Sequence, residues 1–243
     1  MWAIYIPKFL PAPLLLLSAV YAQMNNGPLE TFARGLDRHH IQVTRPALID
    51  ALQNPDKEVR VLAAAELAEL KDDDALPLII QAAHLEQDPV TQMRIAAAAS
   101  WLGSREGLKM LTGICLSSKL PAFIRVEAAR NVFQQGDHSC FAGLLEMMAS
   151  ASETGSREIA LELAAQVQPK STEESRAVLV AALDMLKNQD PQARLMASEA
   201  LRWLRDPRAI AALRDAIEHE NDEAVRSSMG HDLQYLLSLP PEH

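Results

Sequence analysis

Few side chains in this sequence have the types and spacings that carry chemistry. Adjacent histidines, His39 and His40, follow Asp37, and His219 is followed directly by Glu220. Imidazole and carboxylate groups hold a metal ion when three or four of them converge, and no third ligand stands at helical spacing from His39-His40. We therefore interpret these histidines as a solvated helix end, where positive charge is locally favourable, with a metal site as the alternative.

The common motifs of nucleotide, acyl-transfer and redox sites are missing from the sequence. It contains no Gly-rich phosphate loop, no Gly-x-Ser-x-Gly elbow and no Cys-x-x-Cys pair. The acidic run at 72–74 lacks the glycine and distal glutamate of a calcium-binding loop, so it is read as a solvated turn. We predict a non-enzymatic protein with no catalytic residues, no metal and no cofactor.

Composition and charge narrow the class further. With 49% apolar residues, only 9 glycines and no sustained apolar/polar alternation, the chain is predicted to be all-α. The net charge is −9, and no lysine- or arginine-rich cluster offsets it. Binding to nucleic acids and to anionic membrane surfaces depends on basic patches, so we predict no nucleic-acid partner, and anionic membrane surfaces are disfavoured.

The first 22 residues differ from the rest, with one positive charge at Lys8, an apolar core and small residues before Gln23. This pattern is typical of a secretory signal cleaved after Ala22, and it predicts a periplasmic or secreted product without membrane insertion after cleavage. An uncleaved anchor and a misassigned start are the alternatives. The apolar core contains Pro11 and Pro13 and is short for a spanning helix of roughly 20 residues.

The rest of the chain is periodic. An apolar or small residue followed by arginine opens a helical segment six times, as in "VRVLAAAELAEL" at 59–70, with spacings of 34, 31, 32, 37 and 32 residues. The six arginines are Arg60, Arg94, Arg125, Arg157, Arg194 and Arg226. A second set of six amphipathic segments alternates with these. The pattern predicts stacked helix pairs, each with a first helix A and an arginine-bearing helix B.

The turn before the B helix explains part of the motif. Four aspartates stand where a helix N-cap is needed: Asp56, Asp88, Asp190 and Asp222. In three copies the arginine follows its aspartate by four residues, or one helical turn. We interpret the six arginines as structural, a ladder that ties neighbouring repeats, rather than as a row of ligand-binding groups.

With its Asp, Val-Arg, Ala-Ala and Leu positions, this pattern resembles the HEAT-repeat family, especially the short bacterial repeats of the PBS-lyase type. The resemblance covers about residues 45 to 237 and implies an α-solenoid of about six helix pairs. The predicted organisation is a signal peptide at 1–22, a capping helix and linker at 23–44, the solenoid at 45–239 and a tail at 240–243. Two copies depart from the Asp-capped turn, with "KLPAFIR" at 119–125 and "SETGSRE" at 152–158.

Some families of similar architecture are enzymes. Deoxyhypusine hydroxylase holds two irons with several His-Glu pairs, of which this chain has one, and the HEAT-like DNA glycosylases need a basic concave face. Bilin lyases share the acidic composition but not the secretory signal. We therefore predict an exported scaffold that binds a protein partner. A bilin-lyase-like or other cofactor-handling auxiliary enzyme is the alternative.

By the same resemblance, the B helices line the concave side, and their outward positions are candidates for partner binding. The fifth and ninth residues after each arginine share one helix face, beginning with Ala65 and Ala99 in the first two copies. The predicted partner-binding residues are Arg130, Gln134, Glu162, Glu199, Trp203, His231 and Tyr235. The alternative for Trp203 and Tyr235 is that they pack against each other or shield the end of the solenoid.

The two cysteines, Cys115 and Cys140, lie on successive A helices. If those helices stack in parallel with Leu108 opposite Phe141, the cysteines are offset by eight residues, or about 12 Å at 1.5 Å per residue. A disulfide needs Cα atoms within roughly 7 Å of each other. This alignment predicts two free thiols.

Overall fold

The computed structural model describes residues 31–149 and 155–240, so the predicted signal peptide and most of the tail lie outside the described residues. Within those ranges the chain forms thirteen α-helices and no β-strand, which confirms the all-α fold class. The helices are α1 (Phe32–Arg38), α2 (Arg45–Ala51), α3 (Lys57–Glu69), α4 (Leu76–Leu85), α5 (Pro89–Trp101), α6 (Arg105–Cys115), α7 (Ala122–Gln134), α8 (Phe141–Ala149), α9 (Ser156–Gln166), α10 (Thr172–Met185), α11 (Pro191–Leu204), α12 (Ala209–His219) and α13 (Glu223–Ser238). None of these helices is both long enough and apolar enough to span a lipid bilayer.

From α2 onward, the described helices alternate as A and B along the chain, in the order that the repeat period predicts. They fall into two compact units, the first ending at Leu111 and the second beginning at Thr112, within α6. In the first unit, α3 packs against α1, α2 and α5. In the second, α9 packs against α7, α8, α10 and α11, and α13 packs against α11 and α12. Each B helix in these sets therefore contacts its own A helix and a neighbouring B helix.

Alanines form the centre of the first unit. Ala63 and Ala64 on α3 and Ala97 and Ala98 on α5 are all buried. A methyl side chain lets two helix backbones approach more closely than a leucine would. The alanine-rich motif is thus a packing feature of the B helices.

The predicted aspartate caps are present. Asp56 accepts a hydrogen bond from the Glu58 amide, and Asp190 accepts one from the Gln192 amide. Asp88 and Asp222 cap α5 and α13 in the same way. The two departing repeats lack such a cap. Pro121 precedes α7 and Gly155 precedes α9 with a φ of 85°, a left-handed conformation that glycine adopts without strain.

Helix α1 lies against the first B helix. It buries Phe32 and Leu36, and a Cβ on its Gly35 would come within 2.9 Å of a Leu62 methyl group on α3. Glu66 of α3 is buried too, and it accepts a hydrogen bond from the Ala33 amide at the start of α1. Helix α1 is therefore held by apolar packing and by a hydrogen bond from its first turn to a carboxylate of α3.

Cys115 and Cys140 form a disulfide with 5.9 Å between their Cα atoms, so the prediction of two free thiols is wrong. The prediction assumed that two successive A helices lie side by side with Leu108 opposite Phe141. That register would have kept the two sulfur atoms apart.

The start of α8 lies instead against the last turn of α6. Thr112 Oγ1 is 3.3 Å from Ser139 Oγ, and a Cβ on Gly143 would lie 2.7 Å from the Cys115 carbonyl oxygen. Because Gly143 has no side chain, the α8 backbone can pass directly over the C-terminus of α6. This approach sets the helix offset that makes the disulfide possible.

Candidate binding face and repeat arginines

The repeat arginines hold the turns and the ends of neighbouring helices. Arg60 donates from its NH1 group to the carbonyl oxygens of Asn54 (2.7 Å) and Pro55 (3.1 Å), in the turn before its own helix. Its Nε and NH2 groups bind Glu86, at the end of the next A helix, with an Nε–Oε2 distance of 3.0 Å. One guanidinium therefore links two repeats.

Arg194 repeats this arrangement in the second unit. It donates to the carbonyl oxygens of Asn188 and Gln189, at 2.8 Å each, and binds both carboxylate oxygens of Glu220 at 2.6 Å. Those hydrogen bonds from Arg194 lower the pKa of Glu220 to about 2, against the opposing effect of burial. Burial acts to raise the pKa of Glu86 in the first unit, but hydrogen bonds from the Asp88 amide and Arg60 outweigh it and lower the pKa.

The other repeat arginines use different partners. Arg125 donates to the Cys115 carbonyl oxygen (3.1 Å) and binds Glu146 (2.9 Å), and Arg157 donates to the Met148 carbonyl oxygen (2.8 Å) and binds Asp184 (2.7 Å). Arg226 donates to the Glu220 carbonyl oxygen at 2.9 Å, and Arg94 is half-buried on α5.

A polar row crosses three successive B helices of the second unit. Glu162 on α9, Glu199 on α11 and Asp232 on α13 interact electrostatically, with Glu199 between the other two. Burial, followed by the negative charges of Asp232 and Glu162, raises the pKa of Glu199, and Arg202 offsets part of the increase. The row therefore holds more negative charge than its one guanidinium neutralises.

Asp232 fixes α13 against α11. It accepts a hydrogen bond from Ser198 Oγ (2.6 Å), forms an ion pair with Arg202 at an Nε–Oδ1 distance of 2.8 Å, and is itself buried. Sequence reasoning missed all three residues, because it followed only the fifth and ninth positions after each arginine. The sequence did hold one signal. The sixth residue after the repeat arginine is apolar on α9 (Leu163) and α11 (Ala200), but it is a carboxylate, Asp232, on α13.

Two aromatic residues extend this row. Trp203 and Tyr235 are both half-buried, and the guanidinium carbon of Arg202 lies 4.9 Å from the Trp203 ring centroid and 5.9 Å from that of Tyr235. Arg205 approaches Tyr235 from 6.0 Å, and Gln168 donates a hydrogen bond to the Trp203 carbonyl oxygen at 2.8 Å. The two rings are held in place by cation–π contacts with a shared arginine.

We name this surface the α9–α11–α13 face: Glu162, Glu199, Arg202, Trp203, Asp232 and Tyr235. Two further predicted residues lie on the same helices. Gln166 donates a hydrogen bond to Glu162, and His231 is exposed. Arg130 and Gln134 lie on α7, where Arg130 pairs with Glu127 at 3.6 Å and Gln134 is exposed.

In the first unit only the ninth positions of the predicted face, Glu69 and Gly103, are exposed. Ala65 and Ala99 occupy the fifth positions there, and both are buried in the core. In the sequence they looked like a small, bland stretch of surface.

The remaining polar candidates do not assemble into a metal site. In the part of the chain that the structure describes, no three His, Cys, Asp or Glu side chains stand close enough together to share a metal ion. His39 Nδ1 lies 3.7 Å from Asp56, and His219 Nδ1 lies 2.8 Å from the Asp215 carbonyl oxygen.

A half-open cavity of about 550 Å³ in the first unit, between α2 and α4, was not predicted. Apolar side chains such as Leu52, Leu78 and Leu85 line it beside the Arg60–Glu86 pair.

Paired helices with a recurrent arginine near the start of the second helix, aspartate caps and buried alanines are typical of α-helical repeat proteins. A family model described as "HEAT repeats" matches residues 45–132 and 141–234. The chain therefore belongs to the HEAT-repeat family.

Among solved structures, the chain is similar to human deoxyhypusine hydroxylase in complex with glycerol. The identity is 20%, the TM-score is 0.41, and the alignment covers 93% of this chain and 81% of that one. A similarity at this level says nothing about activity. No curated protein sequence matches the chain.

Proposed function

We propose that this protein is a non-enzymatic scaffold that binds a protein partner on the α9–α11–α13 face. The main support for the proposal is that Trp203 and Tyr235 are half-buried and are held in place by Arg202. Aromatic residues held in a fixed position lose little conformational freedom on binding, and they are the side chains most often found as interface anchors. Glu162, Glu199 and the exposed His231 supply polar groups around them.

The proposed site of action is the periplasm or the outside of the cell. The signal-like segment at 1–22 motivates this location, and the Cys115–Cys140 disulfide supports it, because disulfides persist in oxidising compartments. In HEAT-like repeats the B helices line the concave side, so the partner would sit in that concavity.

The test compares partner capture with stability. The mature chain is used as bait in the envelope fraction of its host, and Trp203→Ala and Tyr235→Ala are compared with the parent chain. Both variants should retain less than a tenth of the captured partner, with melting temperatures within a few degrees of the parent. Phe123→Ala is the matched control, since Phe123 is an exposed aromatic residue on α7, and it should leave capture unchanged.

Two results would contradict the proposal. One is a fall of many degrees in melting temperature with capture intact, which would make both aromatic residues part of the core. The other is stoichiometric metal or chromophore bound to the purified chain, which would favour a cofactor-handling enzyme.

A further inference from the structure

The link between the third and fourth repeats differs from the links made by Arg60 and Arg194. Those two arginines each bind a glutamate whose side chain is almost fully buried, Glu86 at 6% exposed and Glu220 at 1%. Arg125 binds Glu146, which is 52% exposed. Arg125 itself is only 6% exposed, but water reaches its carboxylate partner and screens the pair.

The hydrogen bonds of the Arg125 guanidinium also differ from those that Arg60 and Arg194 donate to the turn before their own helices. Its Nε group donates to the carbonyl oxygen of Cys115, at the C-terminus of α6. The turn itself is not capped by a side chain, because Pro121 stands in the N-cap position of α7. This repeat therefore lacks the aspartate cap of the first and fifth repeats, and its arginine binds the end of α6 instead of the turn.

The disulfide adds a covalent link between the third and fourth repeats, beside the one that Arg125 makes. Cys115 ends α6, Cys140 directly precedes α8, and both cysteines are fully buried. Cys140 lies in the 133–140 segment that separates the two HEAT matches. We propose that oxidation of these two thiols is the step that fixes α8 on the end of α6, so that the second unit is fully ordered only in the oxidised chain.

The chemistry requires a thiol–disulfide oxidant, such as an oxidoreductase disulfide or oxidised glutathione. One cysteine thiolate attacks the oxidant to give a mixed disulfide, and the other cysteine thiolate then displaces the reduced oxidant. The chain loses two protons and two electrons, and the oxidant gains them as two thiols. Because both sulfur atoms become buried, the bond is shielded from reductant in the folded chain. The disulfide therefore forms during folding and is not rapidly reversed in the folded chain.

Amide hydrogen exchange of the full mature chain tests whether the disulfide orders α8 against the end of α6. The chain is unfolded, reduced and refolded with a phosphine reductant, and compared with the oxidised chain. Exchange in α8 and in the last turn of α6 should become at least tenfold faster, while α3 and α5 in the first unit should exchange at unchanged rates. The melting temperature should fall by about 7–14 °C, as expected for loss of a disulfide between cysteines 25 residues apart in a chain of this size.

The double variant Cys115→Ala/Cys140→Ala is the matched control for reductant effects. It should exchange like the reduced parent chain and respond no further to the reductant. Equal exchange of α8 in the oxidised and reduced parent chains would overturn the proposal. So would two titratable thiols in the unfolded chain after production in an oxidising compartment.

Discussion

Replacing Arg194 with methionine removes the guanidinium from a carboxylate, that of Glu220, whose side chain is only 1% exposed. Four hydrogen bonds are lost, two to Glu220 and two to the carbonyl oxygens of Asn188 and Gln189. Breaking a buried ion pair from one side costs about 3–5 kcal/mol, because the remaining charge stays buried without its partner. We expect a loss of that size in the free energy of unfolding at pH 7.

The pKa of Glu220 provides a second, independent readout. Its folded value of about 2 lies below the ordinary glutamate value of 4.5, so the unfolded chain binds more protons between these two pH values. The stabilisation is fully present above pH 4.5 and is lost as pH falls towards 2. At about 1.4 kcal/mol for each pKa unit, the whole contribution is about 3 kcal/mol, of which about 2 kcal/mol is lost by pH 3.

Urea denaturation followed by circular dichroism at pH 7 and pH 3 measures both quantities. The gap between the parent chain and Arg194→Met should narrow by about 2 kcal/mol at the lower pH. Arg214→Met is the control, since Arg214 is exposed on α12, and it should change stability by less than about 0.5 kcal/mol. A difference below about 1 kcal/mol at pH 7, with parallel pH profiles, would refute the assignment of Arg194 as a buried link.

Three further outcomes are expected. Ala64→Leu or Ala98→Leu should overpack the first unit and cost about 1–3 kcal/mol, and unchanged thermal stability in both would contradict the close helix packing. Glu199→Gln should raise the melting temperature at pH 7 but not at pH 3. Its folded pKa is raised, so the ionised group is unfavourable at neutral pH, and an equal effect at both pH values would argue against that cause. Intact mass of the exported protein should correspond to a chain starting at Gln23, whereas a species starting at Met1 in the membrane fraction would refute cleavage after Ala22.

The sequence by itself determined the helices and their repeat, because the signals that set them are local. An aspartate such as Asp56 caps the helix that follows it, and an arginine four residues later returns to the same turn. The alanine positions mark the side of the B helix that packs. These features act over one or two helical turns, so the period, the class and the caps could all be read from the order of residues.

Only the tertiary structure decided how the elements meet. Whether Cys115 reaches Cys140 depends on the absence of a side chain at Gly143, and that glycine lies on a different helix from Cys115. Ala65 is core in the first unit, whereas Glu199 at the same repeat position is half-buried in a polar row. How neighbouring helices meet depends on side-chain packing between distant segments of the chain. A periodic pattern specifies which face of a helix is apolar, but not which helix packs against that face or how deeply each residue is buried.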